Sequence, residues 1–242
     1  MPEFALWQWI IGAFCAFLVG VAKTGVPGIG ILVIPLMVLT IGDARLAAGW
    51  LLPVLCAADL MAVYYWRRHA HWRRLVLLAP WVAIGMVLGG AALSLHERVL
   101  RPIVGAIILV MLAIYLYRRW RDDGRLLSSH PTLYGVAAGF ATTVANAAGP
   151  VMSVYLLSMR LPKEQFVGVA ARFFLVVNLS KVPIYAWHGL FSSHSLTGNL
   201  LMVPLVFAGA VTGRWIVAHI SPRLFEIAVI SLAFVSTLLL FR

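Results

Sequence analysis

The chain has 242 residues, of which 62% are hydrophobic and 11% charged, and a formal charge of +11. A soluble domain carries roughly 25% charged residues, so this composition excludes one and implies an integral membrane protein with several spans. The surplus of Lys and Arg does not point to nucleic acid, because it sits in RRHAHWRR (Arg67 to Arg74) and RRWRDDGR (Arg118 to Arg125), beside hydrophobic stretches, as cytoplasmic loop ends do.

The N-terminal MPEFALWQWI contains Glu3 and no basic residue, so the first hydrophobic segment is expected to remain in the mature protein rather than leave as a signal peptide. That segment, 4 to 40, is interrupted by GVAKTGVPGIG from Gly20 to Gly30. Membrane helices of about 20 residues are expected next, near 44 to 66, 75 to 95 and 99 to 117. A basic cytoplasmic linker, 121 to 131, leads to a second interrupted segment, 132 to 159, which carries GFATTVANAAG from Gly139 to Gly149. Helices near 164 to 187, 196 to 218 and 223 to 241 complete the chain.

The two interruptions superpose at Gly20/Gly139, Ala22/Ala141, Thr24/Thr143 and Gly30/Gly149. At the same offset of about 119 residues Gly49 meets Gly168 and Asp59 meets Asn178. Beyond a small insertion Pro80 meets Pro204, and the GxxxG of Gly85 and Gly89 meets that of Gly209 and Gly213, a signature of close helix packing. The expected architecture is an all-α polytopic membrane protein made of two tandem repeats, 1 to 120 and 132 to 242. Each repeat is a broken, re-entrant helix pair followed by three transmembrane helices. With the two basic loops inside, a re-entrant pair also puts Arg160, Lys163 and Arg223 inside and the uncharged loop His188 to Ser195 outside, which favours inverted repeats.

A broken helix in lipid leaves backbone amides that protein, water or a ligand must satisfy. Two re-entrant tips reached from opposite faces bring half-helix N-termini toward the midplane, and four free amides with a partial positive charge suit an anion. Pro27 fits near the first helical position, Asn146 is a good N-cap ahead of Ala147, and Pro150 falls in the first turn. The expected substrate-binding residues are Thr24, Gly28, Ile29 and Gly30 in the first tip and Thr143, Asn146, Ala147, Ala148 and Gly149 in the second. Ionisable groups at membrane depth add Arg172, Asn178 and Lys181 on the 164 to 187 helix, Arg as a fork and Lys as a point charge. Lys181 could equally snorkel to the nearer interface. Asp59 is expected to pair with Lys23 or Lys181, the alternative being a proton-coupling role.

No enzyme is expected. GVPGIG is GxxGxG and follows a helix, where a dinucleotide site needs GxGxxG after a strand. His69 and His71 read as interface residues between Trp66 and Trp72, His188 and His194 have no Cys or carboxylate beside them, and Cys15 and Cys56 lie in apolar runs as free thiols. Neither a metal nor a cofactor is expected.

The segments GVAKTGVPGIGILVIPLMVL, ADLMAVYYWRRHAHW and NAAGPVMSVYLLSMRLPKEQFVGVAARFFLVVNLSKVP resemble the sulfite exporter TauE/SafE family of membrane permeases, over essentially the whole chain. The resemblance implies a multi-pass transporter of the plasma membrane for sulfur-containing anions, sulfite or a sulfonate such as sulfoacetate. The mechanism expected is alternating access around a midplane anion site. An anion channel or an accessory membrane subunit are the alternatives. The partners are the anion and the bilayer, with a homodimer as a conceivable fixed surface for a moving bundle.

Overall fold

Long apolar runs can satisfy their backbone in lipid only as helices or closed barrels, and these runs carry no period-two alternation. The computed structural model describes residues 5–69, 72–92, 97–120, 131–145 and 147–241, and all regular structure among them is helical. The helices are α1 (Leu6–Thr24), α2 (Val33–Ile41), α3 (Ala44–Tyr65), α4 (Trp72–Ala92), α5 (Glu97–Trp120), α6 (Pro131–Ala145), α7 (Ala148–Ser158), α8 (Lys163–Trp187), α9 (Ser193–His219) and α10 (Pro222–Leu238). Four stretches among the described residues are long and apolar enough to cross a membrane: Leu6–Thr24, Leu46–Tyr65, Lys163–Trp187 and Ser195–His219. Shorter apolar stretches occupy Val76–Ala92, Pro102–Tyr117 and Ala148–Ser158. Of the expected linker at 121 to 131, residues 121 to 130 lie outside the described residues, as does His71, and Pro131 instead opens α6.

The helices fall into two packing units, each of which draws on both halves of the sequence. One comprises Met1–Ala70 and Val167–Ser221 and contains α1, α2, α3, most of α8, and α9. The other comprises His71–Phe166 and Pro222–Arg242 and contains α4 to α7 and α10.

In the first unit α1 and α9 lie backbone against backbone. A Cβ on Gly20 would stand 2.2 Å from the Val206 carbonyl oxygen, and one on Gly209 would stand 2.1 Å from that of Phe17, so only glycine permits this approach. The second unit contains the same device between α4 and α6. A Cβ on Gly139 would meet the Val82 oxygen at 2.1 Å, and one on Gly85 the Val136 oxygen at 2.2 Å. The GxxxG pairs are therefore packing surfaces, as their spacing suggested.

Both interrupted segments double back on themselves. Gln8 Nε2, near the start of α1, donates to the Thr40 carbonyl, near the end of α2, over 2.6 Å. In the second unit Tyr134, near the start of α6, and Tyr155, near the end of α7, have ring centroids 5.1 Å apart. The first hairpin covers a core of Cys15, Val19, Val33, Met37, Trp50 and Val206. Its return helix stops at Gly42, whose φ of 81° is the left-handed helix-ending conformation. The Asp43 carboxylate then accepts from Leu46 N over 2.8 Å and caps α3.

Candidate functional site

Asp59 of α3 is completely buried. A carboxylate taken out of water needs a cation and hydrogen-bond donors close by. Lys23, one residue before the end of α1, places Nζ 2.8 Å from Oδ1, and Asn178 of α8 donates Nδ2 to Oδ2 over 2.6 Å. The Lys23 ammonium is thus the charged partner of Oδ1, and the Asn178 amide is the neutral donor to Oδ2. The same ammonium lies 4.3 Å from the centre of the Phe174 ring, a cation–π contact worth about 1 kcal/mol. Phe174, Asn178 and Lys181 recur at the i, i+4, i+7 spacing of one helix face. Lys181 is buried and within electrostatic range of Lys23, Asp59 and Cys56. One polar cluster thus ties the hairpin helix α1 to α3 and α8.

Arg172 is placed differently. Its Nη2 donates to the Arg67 carbonyl over 2.8 Å, just past the end of α3. Position 67 is eight residues beyond Asp59, or about 12 Å along a helix axis. Arg172 therefore serves the terminus of α3 and stands apart from the Asp59 cluster. The described residues of this unit hold Lys23, Arg172 and Lys181 at buried or half-buried positions against the single buried carboxylate of Asp59.

Thr24 is fully buried, and its Oγ1 lies 2.7 Å from the Ala210 carbonyl oxygen and 3.0 Å from that of Gly20. The one hydroxyl proton is thus directed at carbonyls that fasten α1 to α9. Trp66 Nε1 in turn donates to the Thr24 carbonyl over 3.1 Å.

At the first tip Gly28, with φ of 106°, caps a 3-10 turn over Ile29–Leu32 that runs into α2. The amides of Ile29 and Gly30 thus head the returning helix, while Pro27 lies in the preceding turn and not in the first helical turn as its spacing suggested. A Cβ on Gly30 would touch only Ala22, at 3.4 Å. At the second tip α7 is capped by Ala147, and Asn146, the expected cap, lies outside the described residues. The Ala147 amide donates to Ala141 O over 3.0 Å, and Thr143 Oγ1 donates to Gly139 O over 3.0 Å. Ala148 is buried, and Gly149 is half-buried with open space where a Cβ would stand. The two tips belong to different packing units.

Residues 12–240 match the sulfite exporter TauE/SafE family. The chain belongs to this family. No curated protein and no solved structure matches it. As a TauE/SafE chain it is a membrane-integral protein of a transporter family whose general role is to move sulfite and related sulfur anions.

Several residues of this TauE/SafE cluster escape a reading by residue type. Phe174 looks like lipid-facing bulk, and only its place four residues before Asn178 marks it as part of the polar face. Trp66 reads as an interface anchor, yet it is buried and bonded to the α1 terminus. Cys56 lies one turn before Asp59 and so borders the same charges.

Proposed function

We propose that this chain is a secondary transporter of small sulfur-containing anions, sulfite or a sulfonate such as sulfoacetate, in the cell membrane. The observation that carries the reading is the buried group of Lys23, Asp59 and Asn178 with Lys181 in range. An ammonium whose counter-ion is a protein carboxylate can exchange that carboxylate for a bound anion. The exchange loosens α1 from α3 and α8 when substrate is present and restores the tie when it leaves. A ligand moves a conformational equilibrium only through such a difference in its contacts between two states.

The hairpins supply the moving part in this proposal. Each tip offers the free amides of a helix start, at Ile29 and Gly30 in the first and at Ala148 and Gly149 in the second, which suit an oxyanion. The doubling back of α2 on α1 and of α7 on α6 supports a re-entrant rather than a crossing segment, and hence two inverted repeats working by alternating access. Arg172, at the end of α3, is proposed to draw the anion toward the cluster.

The test is uptake into proteoliposomes of labelled sulfite, sulfoacetate, sulfate and acetate, for the native chain and for Lys23→Ala and Lys181→Ala. Saturable uptake and counterflow of a sulfur anion, weakened by either substitution, are expected. Linear, electrically conductive flux would make the protein a channel, and no flux of any of the four solutes would remove the sulfur-anion assignment.

A further inference from the structure

We infer that a sulfonate moves through this protein together with a proton, and that Asp59 is the group that takes the proton up. The inference rests on the transport reading above and adds a second substrate to the same cluster. Asp59 is completely buried, with Oδ1 2.8 Å from the Lys23 ammonium and Oδ2 accepting from Asn178 over 2.6 Å. Lys23 is therefore engaged at rest, and an incoming anion must compete with the carboxylate for it. Two anions that share one buried cation do not both stay charged. A sulfonate cannot give up its charge, whereas the carboxylate can, by binding a proton at Oδ1. The step starts from the ion pair, the anion and a proton. It ends with a neutral Asp59 acid and the anion on Lys23. Reversal on the other side of the membrane releases anion and proton together and restores the tie between α1 and α3.

The surroundings of Asp59 suit both of its charge states. The Asn178 amide donates N–H to a carboxylate and, turned over, offers its carbonyl to the hydroxyl of a carboxylic acid. A lysine or arginine there would serve only the charged form. The charged and ionisable groups around Asp59 come from three helices: Lys23 from α1, Lys181 from α8, and the Cys56 thiol one turn earlier on α3. The segment of α2, Val33–Ile41, contains no ionisable residue. Arg172 of α8 and Arg214 of α9 lie toward the far end of α3, at the Arg67 carbonyl and over the Tyr65 ring. Lys23 makes the close contact, so its capture by the anion is the event that strips the carboxylate of its counter-ion. Pairing with Lys23 and carrying a proton are thus two phases of one cycle.

The experiment traps the pH dye pyranine in proteoliposomes, clamps the membrane potential near zero with potassium and valinomycin, and adds labelled sulfoacetate. Unlike sulfite, sulfoacetate stays fully ionised near neutral pH and brings no proton of its own. Its entry is expected to acidify the lumen. An inward gradient of about one pH unit is expected to raise its steady accumulation about tenfold, the ratio for one proton per anion. KM should also fall as the outside is acidified, since proton and anion favour each other's binding. Asp59→Asn is expected to lose all three effects, and Asp59→Glu, which restores the acid, to regain them. Saturable uptake without proton entry would overturn the inference and make Lys181 the counter-ion that keeps the carboxylate charged. Proton entry that survives in Asp59→Asn would remove Asp59 as the carrier. If Asp59→Asn does not fold, proton entry with the native chain and Asp59→Glu upholds the inference and its absence overturns it. No saturable sulfoacetate uptake at any pH would overturn it together with the sulfonate transport on which it rests.

Discussion

Asn178 donates its side-chain amide to the Asp59 carboxylate over 2.6 Å, and the two residues are 119 positions apart, the offset at which the glycine-rich interruptions align. Two positions that match under a repeat offset can touch only where the related elements themselves meet. In this chain α3 and α8 meet there, and the pair is asymmetric, an acid against an amide. The acid needs a cation and the amide does not, so Lys23 has a counter-ion on one side alone.

The first prediction concerns that acid. Asp59→Ala removes the counter-ion and leaves Lys23 uncompensated in the interior, which is expected to cost about 3–5 kcal/mol. Adding Lys23→Met to Asp59→Ala should recover most of that loss, since an apolar pair of similar volume replaces a buried ion pair at little cost. Thermal unfolding of the single and double variants in detergent checks both, and an additive double variant would show that the two side chains do not interact.

The glycines of α1 and α6 give a steric test. Gly20→Ala and Gly139→Ala put a methyl group 2.2 Å and 2.1 Å from carbonyl oxygens of α9 and α4. Each helix pair must separate, and a loss of about 1–3 kcal/mol is expected, the usual cost of overpacking. Gly90→Ala, in α4 with nothing within 4 Å of the added atom, is the control. It should keep or raise the unfolding midpoint, because alanine favours a helix over glycine by about 0.5–1 kcal/mol.

The helices and their two interruptions were legible because length and hydropathy determine a span, and glycine with proline marks where it stops. The partners of the helices were not. Nothing in the sequence of α1 names α9, since a small residue at position 20 permits any close neighbour and the match to Gly209 is made only in three dimensions. Thr24 shows the same limit at a site. A hydroxyl beside a helix break reads as a ligand for substrate, yet its acceptor at Ala210 is 186 residues away. For Asp59 the sequence offered two lysines, and geometry assigns the close contact to Lys23.

Asn199 gives a prediction with the opposite sign. It is buried on α9 beside a small cavity that Trp50 and Met202 also line, and its Nδ2 has no hydrogen-bond partner. An unsatisfied buried donor costs about 1–3 kcal/mol, so Asn199→Leu should raise the unfolding midpoint. A lower midpoint would show that the amide holds a polar occupant of that cavity in the membrane.

Gly149 separates binding from folding. A Cβ added there meets nothing within 4 Å, so Gly149→Ala, like Gly90→Ala, should keep or raise the unfolding midpoint. If the start of α7 receives the anion, the methyl group stands where the substrate must approach the amides. KM for sulfite uptake is then expected to rise about tenfold with little change in maximal rate. An unchanged KM would take the second tip out of the binding reading while leaving the Lys23 cluster in it.

Arg172 has a structural contact and a proposed role toward the anion, which one substitution cannot separate. Its guanidinium holds the carbonyl of Arg67, so Arg172→Ala should destabilise the chain by about 1.5–3 kcal/mol, the value of a hydrogen bond to a charged donor. Arg172→Lys keeps the charge but replaces a planar fork with a shorter, flexible ammonium that does not reproduce the Arg67 contact. If Arg172 acts on the anion through its charge, the lysine variant should unfold at a lower temperature than the native chain yet take up sulfite with a nearly native KM, whereas the alanine variant loses both. Equal loss of uptake in the two variants would mean that the guanidinium fork itself grips the anion, and native uptake in both would restrict Arg172 to holding the end of α3.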